Sequence, residues 1–202
     1  MDKNYKLAEL IGILLGDGCI LIKENKHYEI KISLDKIKDK DYIPFIKKLI
    51  FDLFSIEAKE YYRNYDGCVD IRISGKDFVK YLIDNVGLKS SPKFNRAEIP
   101  QQFLIKEYYP ALLRGYFDTD GCVAIVNNNG IKYPRIEMKI CNSPMQAQYI
   151  KILKELNFKF GAYNIGNNAI RIQINGKKEL IKWINLVGSS NPRNIERLNK
   201  FL

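Results

Sequence analysis

Apolar and polar positions follow two periods along this chain, one typical of helices and one typical of strands. Apolar residues at helical spacing predict six helices in two matching sets, at residues 5–16, 42–54, 76–86, 108–119, 145–156 and 177–187, with a last helix starting near Pro192. Between them, Ile30 and Ile32 alternate with polar residues in the first half, as Ile136 and Met138 do in the second. Each half is therefore predicted to contain antiparallel hairpins with one apolar face, covered by helices, and one polar face.

The matching sets of elements reflect an internal repeat. Gly12, Asp17 and Gly18 recur as Gly115, Asp120 and Gly121 at an offset of 103 positions. The segment Ile73-Ser74-Gly75-Lys76 recurs as Ile174-Asn175-Gly176-Lys177 at an offset of 101. Several matches in the same order indicate two copies of one unit. We predict an α+β protein with an N-terminal repeat over residues 1–95, a C-terminal repeat over 96–202 and a linker at about 90–100.

Composition adds a basic charge to this picture. The 202 residues contain 33 Lys and Arg against 23 Asp and Glu, a net charge of +10. This excess favours a polyanionic partner, although it is also compatible with simple solubility. The spacing of the four cysteines matches neither a disulfide framework nor a zinc site, so we expect them to be buried small hydrophobic side chains. The longest apolar run is too short to span a membrane, and the N-terminus lacks the apolar stretch of a signal peptide, so we expect no membrane association and a cytoplasmic, nucleoid location.

The polar strand faces are the predicted contact surface for double-stranded DNA, with ordinary solvation as the alternative. Basic and amide side chains on such faces suit the base edges of a major groove. The DNA-binding candidates are Lys23, Lys31, Arg72, Arg135, Lys139, Arg171, Gln173 and Asn175.

The repeated glycine motif predicts where the two halves meet. Glycine inside a helix costs about 1 kcal/mol relative to alanine, so Gly12 and Gly115 need a reason, and close packing of two helices supplies one. A seam between these helices would bring Asp17 and Asp120 side by side at one end. In a single copy, Asp-Gly after a helix is more simply explained as a turn. Duplication favours a shared site of hard oxygen ligands, which suits Mg²⁺ and hydrolysis of phosphodiesters.

Both motifs resemble those of the LAGLIDADG homing endonucleases in the single-chain, two-motif form, and the resemblance covers nearly the whole chain. The segment 97–118 is similar to the archaeal and intein-associated branch. Motif two is close to the consensus, whereas motif one has Leu15 and Gly16 where the consensus has Asp and Ala. The resemblance implies two pseudo-symmetric αββαββα units, whose antiparallel sheets form a saddle over DNA with the helices packed behind. It also implies cleavage of both strands of a long, nearly asymmetric site.

The resemblance also implies roles for individual residues. Asp17 and Asp120 match the catalytic, metal-binding aspartates, and the carbonyls of Gly16 and Thr119 match the main-chain ligands beside them. Asp118 matches an acidic position that is not a metal ligand. Three further catalytic candidates are a water-organising residue and two basic residues flanking the site. These are Asn142, Lys93 and Arg193, with Arg96 and Arg197 as alternatives for the basic pair and phosphate contact or solvation as the alternative role.

These inferences lead to a site-specific, Mg²⁺-dependent DNA endonuclease, with Mn²⁺ able to substitute. The chain lacks the splice-junction residues of an intein, so we expect a free-standing enzyme, and the internal duplication predicts a monomer. The strongest alternative is an intron maturase of the same fold, with intron RNA as its partner. A DNA-binding regulator without catalysis is a third possibility, but it would not require two intact Asp-Gly termini.

Overall fold

The computed structural model describes residues 2–24 and 26–201, with the backbone alone at Asn128, and each half of the chain forms its own sheet. The first half contains α1 (Lys3–Leu15), β1 (Gly18–Lys23), β2 (His27–Asp35), α2 (Ile43–Phe54), β3 (Lys59–Tyr62), β4 (Cys68–Ser74) and α3 (Lys76–Lys80), which continues as a π-helical turn over Tyr81–Asn85. After a 3₁₀ turn at Gln101–Phe103, the second half contains α4 (Tyr109–Asp120), β5 (Gly121–Asn128), β6 (Ile131–Ile140), α5 (Met145–Glu155), β7 (Gly161–Asn164), β8 (Ile170–Asn175), α6 (Lys177–Leu186) and α7 (Pro192–Asn199). The α+β class and the repeated αββαββα order are confirmed.

The two sheets have the same topology. Their strand orders are β1-β2-β4-β3 and β5-β6-β8-β7, and every neighbouring pair is antiparallel. In each sheet the second strand of the first hairpin pairs with the second strand of the next. The registers correspond as well, because Glu29 faces Ser74 in one sheet and Arg135 faces Asn175 in the other. Corresponding positions of the two polar faces can therefore be compared directly.

Alternation along the central strands separates a core face from a polar face. Ile30, Ile32 and Leu34 of β2 are buried, and so are Ile136, Met138 and Ile140 of β6. The helices cover these faces, where each fully buried aliphatic side chain contributes about 1.5 to 3 kcal/mol. The residues between them point to the opposite face and stay at least partly accessible, apart from a few buried carboxylates.

Helices α1 and α4 form the seam between the halves, and both motif glycines lie in it. A Cβ at Gly12 would overlap the Leu112 carbonyl and lie 2.8 Å from the Tyr116 nitrogen. A Cβ at Gly115 would overlap the Glu9 carbonyl and lie 2.9 Å from the Ile13 nitrogen. The helices therefore touch backbone to backbone, which only glycine allows at these positions.

The segment from Ser90 to Pro100 contains no helix or strand and contacts both halves. Its Ser91 nitrogen donates to the Ile20 carbonyl (2.9 Å), and its Asn95 nitrogen donates to the Asn142 carbonyl (2.7 Å). The four cysteines are free thiols of intermediate exposure, not fully buried side chains. Among the helices of the described ranges, none combines the length and apolar character needed to cross a bilayer.

Candidate active site and nucleic-acid interface

Asp17 and Asp120 lie together where the seam helices end. Helix α1 ends at Leu15, so Asp17 follows in the turn before β1, whereas Asp120 is the last residue of α4. A Cβ at Gly16 would lie 3.5 Å from Asp120 Oδ2 and would overlap the Thr119 hydroxyl. The absence of a side chain at Gly16 thus lets the two motif termini approach each other.

Both carboxyl groups at the seam have raised pKa values. Partial burial and the neighbouring charge of Asp120 raise the pKa of Asp17 to about 7, an effect that Asp39 reinforces and that Lys93 and Arg193 oppose. Asp120 reaches the surface, but the surrounding protein still removes part of its hydration, which raises the pKa of its carboxyl group, while Lys93 and Lys139 lower it. Two adjacent carboxyl groups that are both harder to ionise than usual form a site that a cation would stabilise.

Lys93 provides a positive charge at this site. Its ammonium group donates to the Leu15 carbonyl (3.0 Å) and to the Gly16 carbonyl, which was the predicted main-chain ligand. Burial lowers the pKa of Lys93, and the charges of Asp120 and Asp17 oppose this effect. The structure therefore brings Lys93 together with both aspartates, and the seam holds two acids and one base.

The donor set at the seam fits a divalent cation that is partly coordinated by substrate. Within residues 2–24 and 26–201 no three His, Cys, Asp or Glu side chains cluster as metal ligands, so the candidate donors are the two carboxylates and two main-chain carbonyls, that of Gly16, which accepts from Lys93, and that of Thr119. These are hard oxygen donors, and Mg²⁺ is commonly bound by one or two carboxylates plus water and phosphate oxygens. The Thr119 hydroxyl is turned back into its own helix, where it donates to the Gly115 and Tyr116 carbonyls (3.1 and 3.0 Å).

Arg193 also lies near Asp17, but a residue of the first half holds it. Arg193 Nη2 lies 3.2 Å from Asp39 Oδ1, and the same oxygen accepts from Asn191 Nδ2 at 2.9 Å. Lys93 and Arg193 each follow a proline after a Ser-Ser pair, so they occupy related positions in the two halves. Only Lys93 donates to the seam carbonyls.

Asn142 follows β6 and pairs with Asn95 of the segment before α4. Its side-chain amide donates to Asn95 Oδ1 at 2.6 Å, and its carbonyl accepts from the Asn95 nitrogen. These bonds fasten the segment before α4 to the end of β6. These bonds use one of the two amide N–H groups of Asn142, and the water-organising role stays a prediction.

Asp118 is buried and structural. Its carboxylate accepts from the Ser189 hydroxyl, from the backbone nitrogens of Ser190 (2.6 Å) and Asn191 (3.2 Å), and from Asn194 Nδ2 (3.2 Å). Burial raises its pKa to about 6, and the bonds from Ser189, Ser190 and Asn194 oppose this. The motif therefore separates its two acids: one fixes the loop before α7 and the other faces the seam.

The eight predicted DNA-binding residues share the polar faces of the two sheets. Lys31 faces Arg72 across β2 and β4, and Lys59 faces Arg72 from β3, which makes a basic row across the first sheet. Lys23 lies at the exposed end of β1. In the second sheet the DNA-binding candidates occupy neighbouring rows of β6 and β8. Arg135 faces Asn175, Lys139 faces Arg171, and Gln173 lies between Asn175 and Arg171 on β8.

Comparison with solved structures defines the class of fold. A homing endonuclease, I-DmoI, in complex with DNA and Ca aligns with a TM-score of 0.66 and 16% identity over 99% of this chain and 100% of that chain. The I-LtrWI LAGLIDADG homing endonuclease bound to target DNA aligns at 0.65 with 14% identity over 99% and 89%. The N-terminal LAGLIDADG domain of DUF199/WhiA aligns at 0.61 with 15% identity over 93% and 84%. The chain has the LAGLIDADG fold in its two-motif, single-chain form, as its motifs predicted.

Sequence comparison finds longer proteins. The chain is 27% identical over 206 residues to the replication factor C small subunit of Methanocaldococcus jannaschii, covering 98% of this chain and 10% of that protein. It is 30% identical over 151 residues to a DNA polymerase of Thermococcus hydrothermalis, covering 73% of this chain and 8% of that protein. The chain thus spans about a tenth of the length of the curated relatives it matches. No family model matches the chain.

Sequence reasoning missed several acidic residues around the site. Asp39 and Glu9 are buried and contact the other half of the chain, Asp39 through Arg193 and Glu9 through Arg114 Nη2 at 2.7 Å. No periodicity marks such contacts, because the partners are more than 100 residues apart. Asp70 and Glu137 did carry a signal, since both occupy polar positions of alternating strands. Only the structure shows that they contact the arginines beside them.

Proposed function

We propose that this chain is a site-specific DNA endonuclease that hydrolyses phosphodiesters with the help of a divalent cation. The observation that carries the proposal is the meeting of Asp17 and Asp120, one from each half, at the seam beneath two polar sheet faces. Each carboxyl group has a raised pKa, as expected for acids that await a cation. The similarity to DNA-bound homing endonucleases supports the same interpretation.

Each residue of the seam has a distinct task in this proposal. Asp17, Asp120 and the main-chain carbonyls of Gly16 and Thr119 would hold the cation, Mg²⁺ or Mn²⁺. When bound, such an ion lowers the pKa of a coordinated water and stabilises charge on the transferring phosphate. Lys93 would neutralise the carboxylates before the cation binds and would attract the scissile phosphate to the seam. Because binding of the cation requires both carboxylates ionised, the proton held by Asp17 near neutral pH must leave first.

The partner in this proposal is double-stranded DNA, bound by a monomer. The basic row of the first sheet and the DNA-binding candidates of the second sheet would each lie in the major groove, one on each side of the seam. The seam glycines already join the two halves within one chain, so a second copy is not needed to bring two aspartates together. Sedimentation should therefore show a monomer, free and DNA-bound.

The proposal is tested by selection followed by cleavage. Duplexes enriched from a randomised pool by binding to the protein in EDTA are cloned into a supercoiled plasmid and incubated with the protein and Mg²⁺. We expect linear plasmid from the enriched clones and none from unselected clones. A protein that enriches a DNA sequence but never cuts it would be a DNA-binding regulator. A protein that enriches no DNA but binds structured intron RNA would be a maturase.

A further inference from the structure

On the polar face of each sheet a carboxylate contacts arginine side chains, Glu137 in the second sheet and Asp70 in the first. In the second sheet Glu137 Oε1 accepts from Gln173 Nε2 at 2.9 Å and lies 3.3 Å from Arg135 Nη1, while Glu137 Oε2 lies 3.9 Å from Arg171 Nε. Arg135 is held from a second side, because its Nε donates to Asn175 Oδ1 at 2.6 Å. One carboxylate thus contacts three of the predicted DNA-binding side chains.

Asp70 plays the corresponding part in the first sheet. It accepts from Arg72 Nη2 at 2.9 Å and from the Ser33 hydroxyl at 2.8 Å, and its Oδ1 lies 3.6 Å from Arg63 Nε. The guanidinium of Arg72 also stacks on the ring of Tyr61, with 4.6 Å to the ring centroid. The Asp70 side chain is only 1% exposed, whereas that of Arg72 is 32% exposed. The carboxylate is therefore hidden beneath the arginine that it orients.

The two clusters are related in position but reversed in charge. By the shared register, Lys31 of the first sheet corresponds to Glu137 of the second, Asp70 corresponds to Arg171, and Glu29 corresponds to Arg135. A base edge or phosphate that suits one face would meet the opposite charge at the equivalent place on the other. The two faces would therefore read different sequences.

We propose that Glu137 and Asp70 are positioning residues that determine DNA-sequence specificity, each for its own half of the target. This inference rests on the proposed function, because it concerns how the same protein reads DNA. A free arginine side chain can contact many bases or phosphates, but one held by a carboxylate presents its remaining N–H groups in one direction. Bidentate arginine contacts select guanine.

Gln173 gives the inference a definite chemical consequence. An amide that donates one N–H to Glu137 must point its nitrogen toward that carboxylate, so its carbonyl oxygen and its second N–H remain for DNA. This pairing of an acceptor and a donor matches adenine in the major groove. With Glu137 replaced by glutamine, the amide of Gln173 is no longer held in one orientation, and the preference for adenine should fall.

The test compares binding specificity, not cleavage. Randomised duplexes are selected in EDTA by the parent, by Glu137→Gln and by Asp70→Asn, and the enriched base preferences are compared position by position. At one to three base pairs, we expect each variant's preference for the favoured base over the others to fall about tenfold. A good side-chain contact to a base contributes discrimination of this size. Glu137→Gln should broaden base preference only in the half-site where Arg135→Ala, Arg171→Ala or Gln173→Ala also broadens it. Asp70→Asn should broaden base preference only in the half-site where Arg72→Ala does so.

The two variants serve as controls for each other, and a combined variant separates positioning from folding. In an Arg135→Ala, Arg171→Ala and Gln173→Ala background, Glu137→Gln should cause no further loss of preference. Glu137 is partly accessible, so its amide variant is expected to fold even if Asp70→Asn does not. Uniformly weaker binding to all sequences, or broadening of both half-sites by one variant, would overturn the inference. A parent that enriches no sequence would contradict the proposed function itself, and the inference with it.

Discussion

Gly12 and Gly115 make reciprocal contacts across the seam. Gly12 lies against the backbone of Leu112 and Tyr116, and Gly115 lies against that of Glu9 and Ile13. In the repeat, which has an offset of 103 positions, Gly115 corresponds to Gly12, and Leu112 and Tyr116 correspond to Glu9 and Ile13, so the two sets of contacts are equivalent. The pair thus lies on the pseudo-twofold axis relating the halves, and the distance between the two aspartates depends on how closely these glycines allow the helices to approach.

Gly115→Ala should therefore destabilise the protein. In an isolated helix the change would be favourable by about 1 kcal/mol. Here the new methyl group meets the Glu9 carbonyl, and forcing the helices apart should lower the free energy of unfolding by about 1 to 3 kcal/mol. Urea denaturation measures the difference, and Asn4→Ala, at an exposed position of α1, the other seam helix, is the control. Equal or higher stability of Gly115→Ala would show that the seam tolerates separation.

The seam was predictable from sequence because glycine carries information of its own. Two glycines inside helices at a fixed offset have few explanations other than close packing, and the Asp-Gly pairs follow directly. The strand faces were predictable for a similar reason, since the alternation around Ile30 and Ile136 assigns every neighbouring residue to a face.

Contacts between residues far apart in sequence were not predictable. Asn142 was given a water-organising role by the resemblance, and nothing in the sequence indicates that it pairs with Asn95. Arg193 was assigned from the resemblance, as a basic residue that follows the helix over 177–187, and nothing in the sequence indicates that Asp39 holds it. Such contacts depend on how the halves and the linker pack, and neither hydrophobic period records this.

The raised pKa of Asp17 predicts a dependence of stability on pH. The folded-state pKa of about 7 exceeds the ordinary aspartate pKa of 3.8, so the folded protein binds more protons than the unfolded chain between these values. Stability should therefore decline as pH rises from about 4 to about 7 and change little from this group above that. Asp17→Asn removes the cost of ionising this carboxyl group. Because solvent screens part of that cost, the variant should raise the free energy of unfolding by about 1 to 2 kcal/mol at pH 8 and leave it unchanged near pH 3.

Thermal unfolding of the parent and of Asp17→Asn across this pH range tests the prediction. Mg²⁺ should stabilise the parent at pH about 8, because it binds the folded state alone, and should have little effect on the variant. A constant difference in melting temperature at all pH values would contradict a titrating origin.

Asp118 should behave differently from Asp120, although the two belong to one motif. Asp118→Ala leaves several buried donors of the loop before α7 without an acceptor, and we expect a loss of about 2 to 4 kcal/mol in the free energy of unfolding. Mg²⁺ should still raise the free energy of unfolding of Asp118→Ala, because this residue is not part of the proposed metal site. Urea denaturation with and without Mg²⁺ measures both quantities, and Asp41→Ala, an exposed acid, is the control. Loss of the Mg²⁺ effect with unchanged stability would assign Asp118 to the metal site.

Binding to DNA should weaken steeply with salt. Lysines and arginines that neutralise phosphates release counterions, and each contact contributes about 0.9 to the slope of log affinity against log salt. With six to ten contacts the affinity should fall by about 10³ to 10⁵ between 50 and 200 mM salt. Gel shifts over this range measure the slope, and Lys31→Ala should reduce it by about one contact if that side chain binds a phosphate. A flat response would contradict a polyanionic partner.

Exchange of either seam aspartate for asparagine should separate cleavage from binding. Asp17→Asn and Asp120→Asn keep the shape of the side chain but remove a charge that holds the cation. Because the two carboxylates would share one proposed metal site with the Gly16 and Thr119 carbonyls, either change should abolish double-strand cleavage, leaving no efficient nicking. Supercoiled plasmid carrying the selected target should remain uncut with Mg²⁺.

Binding should survive the same changes. Two carboxylates that face phosphates repel them when no metal intervenes, so removing one charge leaves affinity unchanged or increases it. Gel shifts in EDTA should place the affinity of both variants within about tenfold of the parent, which corresponds to about 1.4 kcal/mol. Lys93→Met offers the opposite change at the same place, because it removes the positive charge between the aspartates and should weaken binding in EDTA. If both asparagine variants cut normally, the metal site is not at the seam. If all three variants lose binding together, the seam supports the fold and not the chemistry.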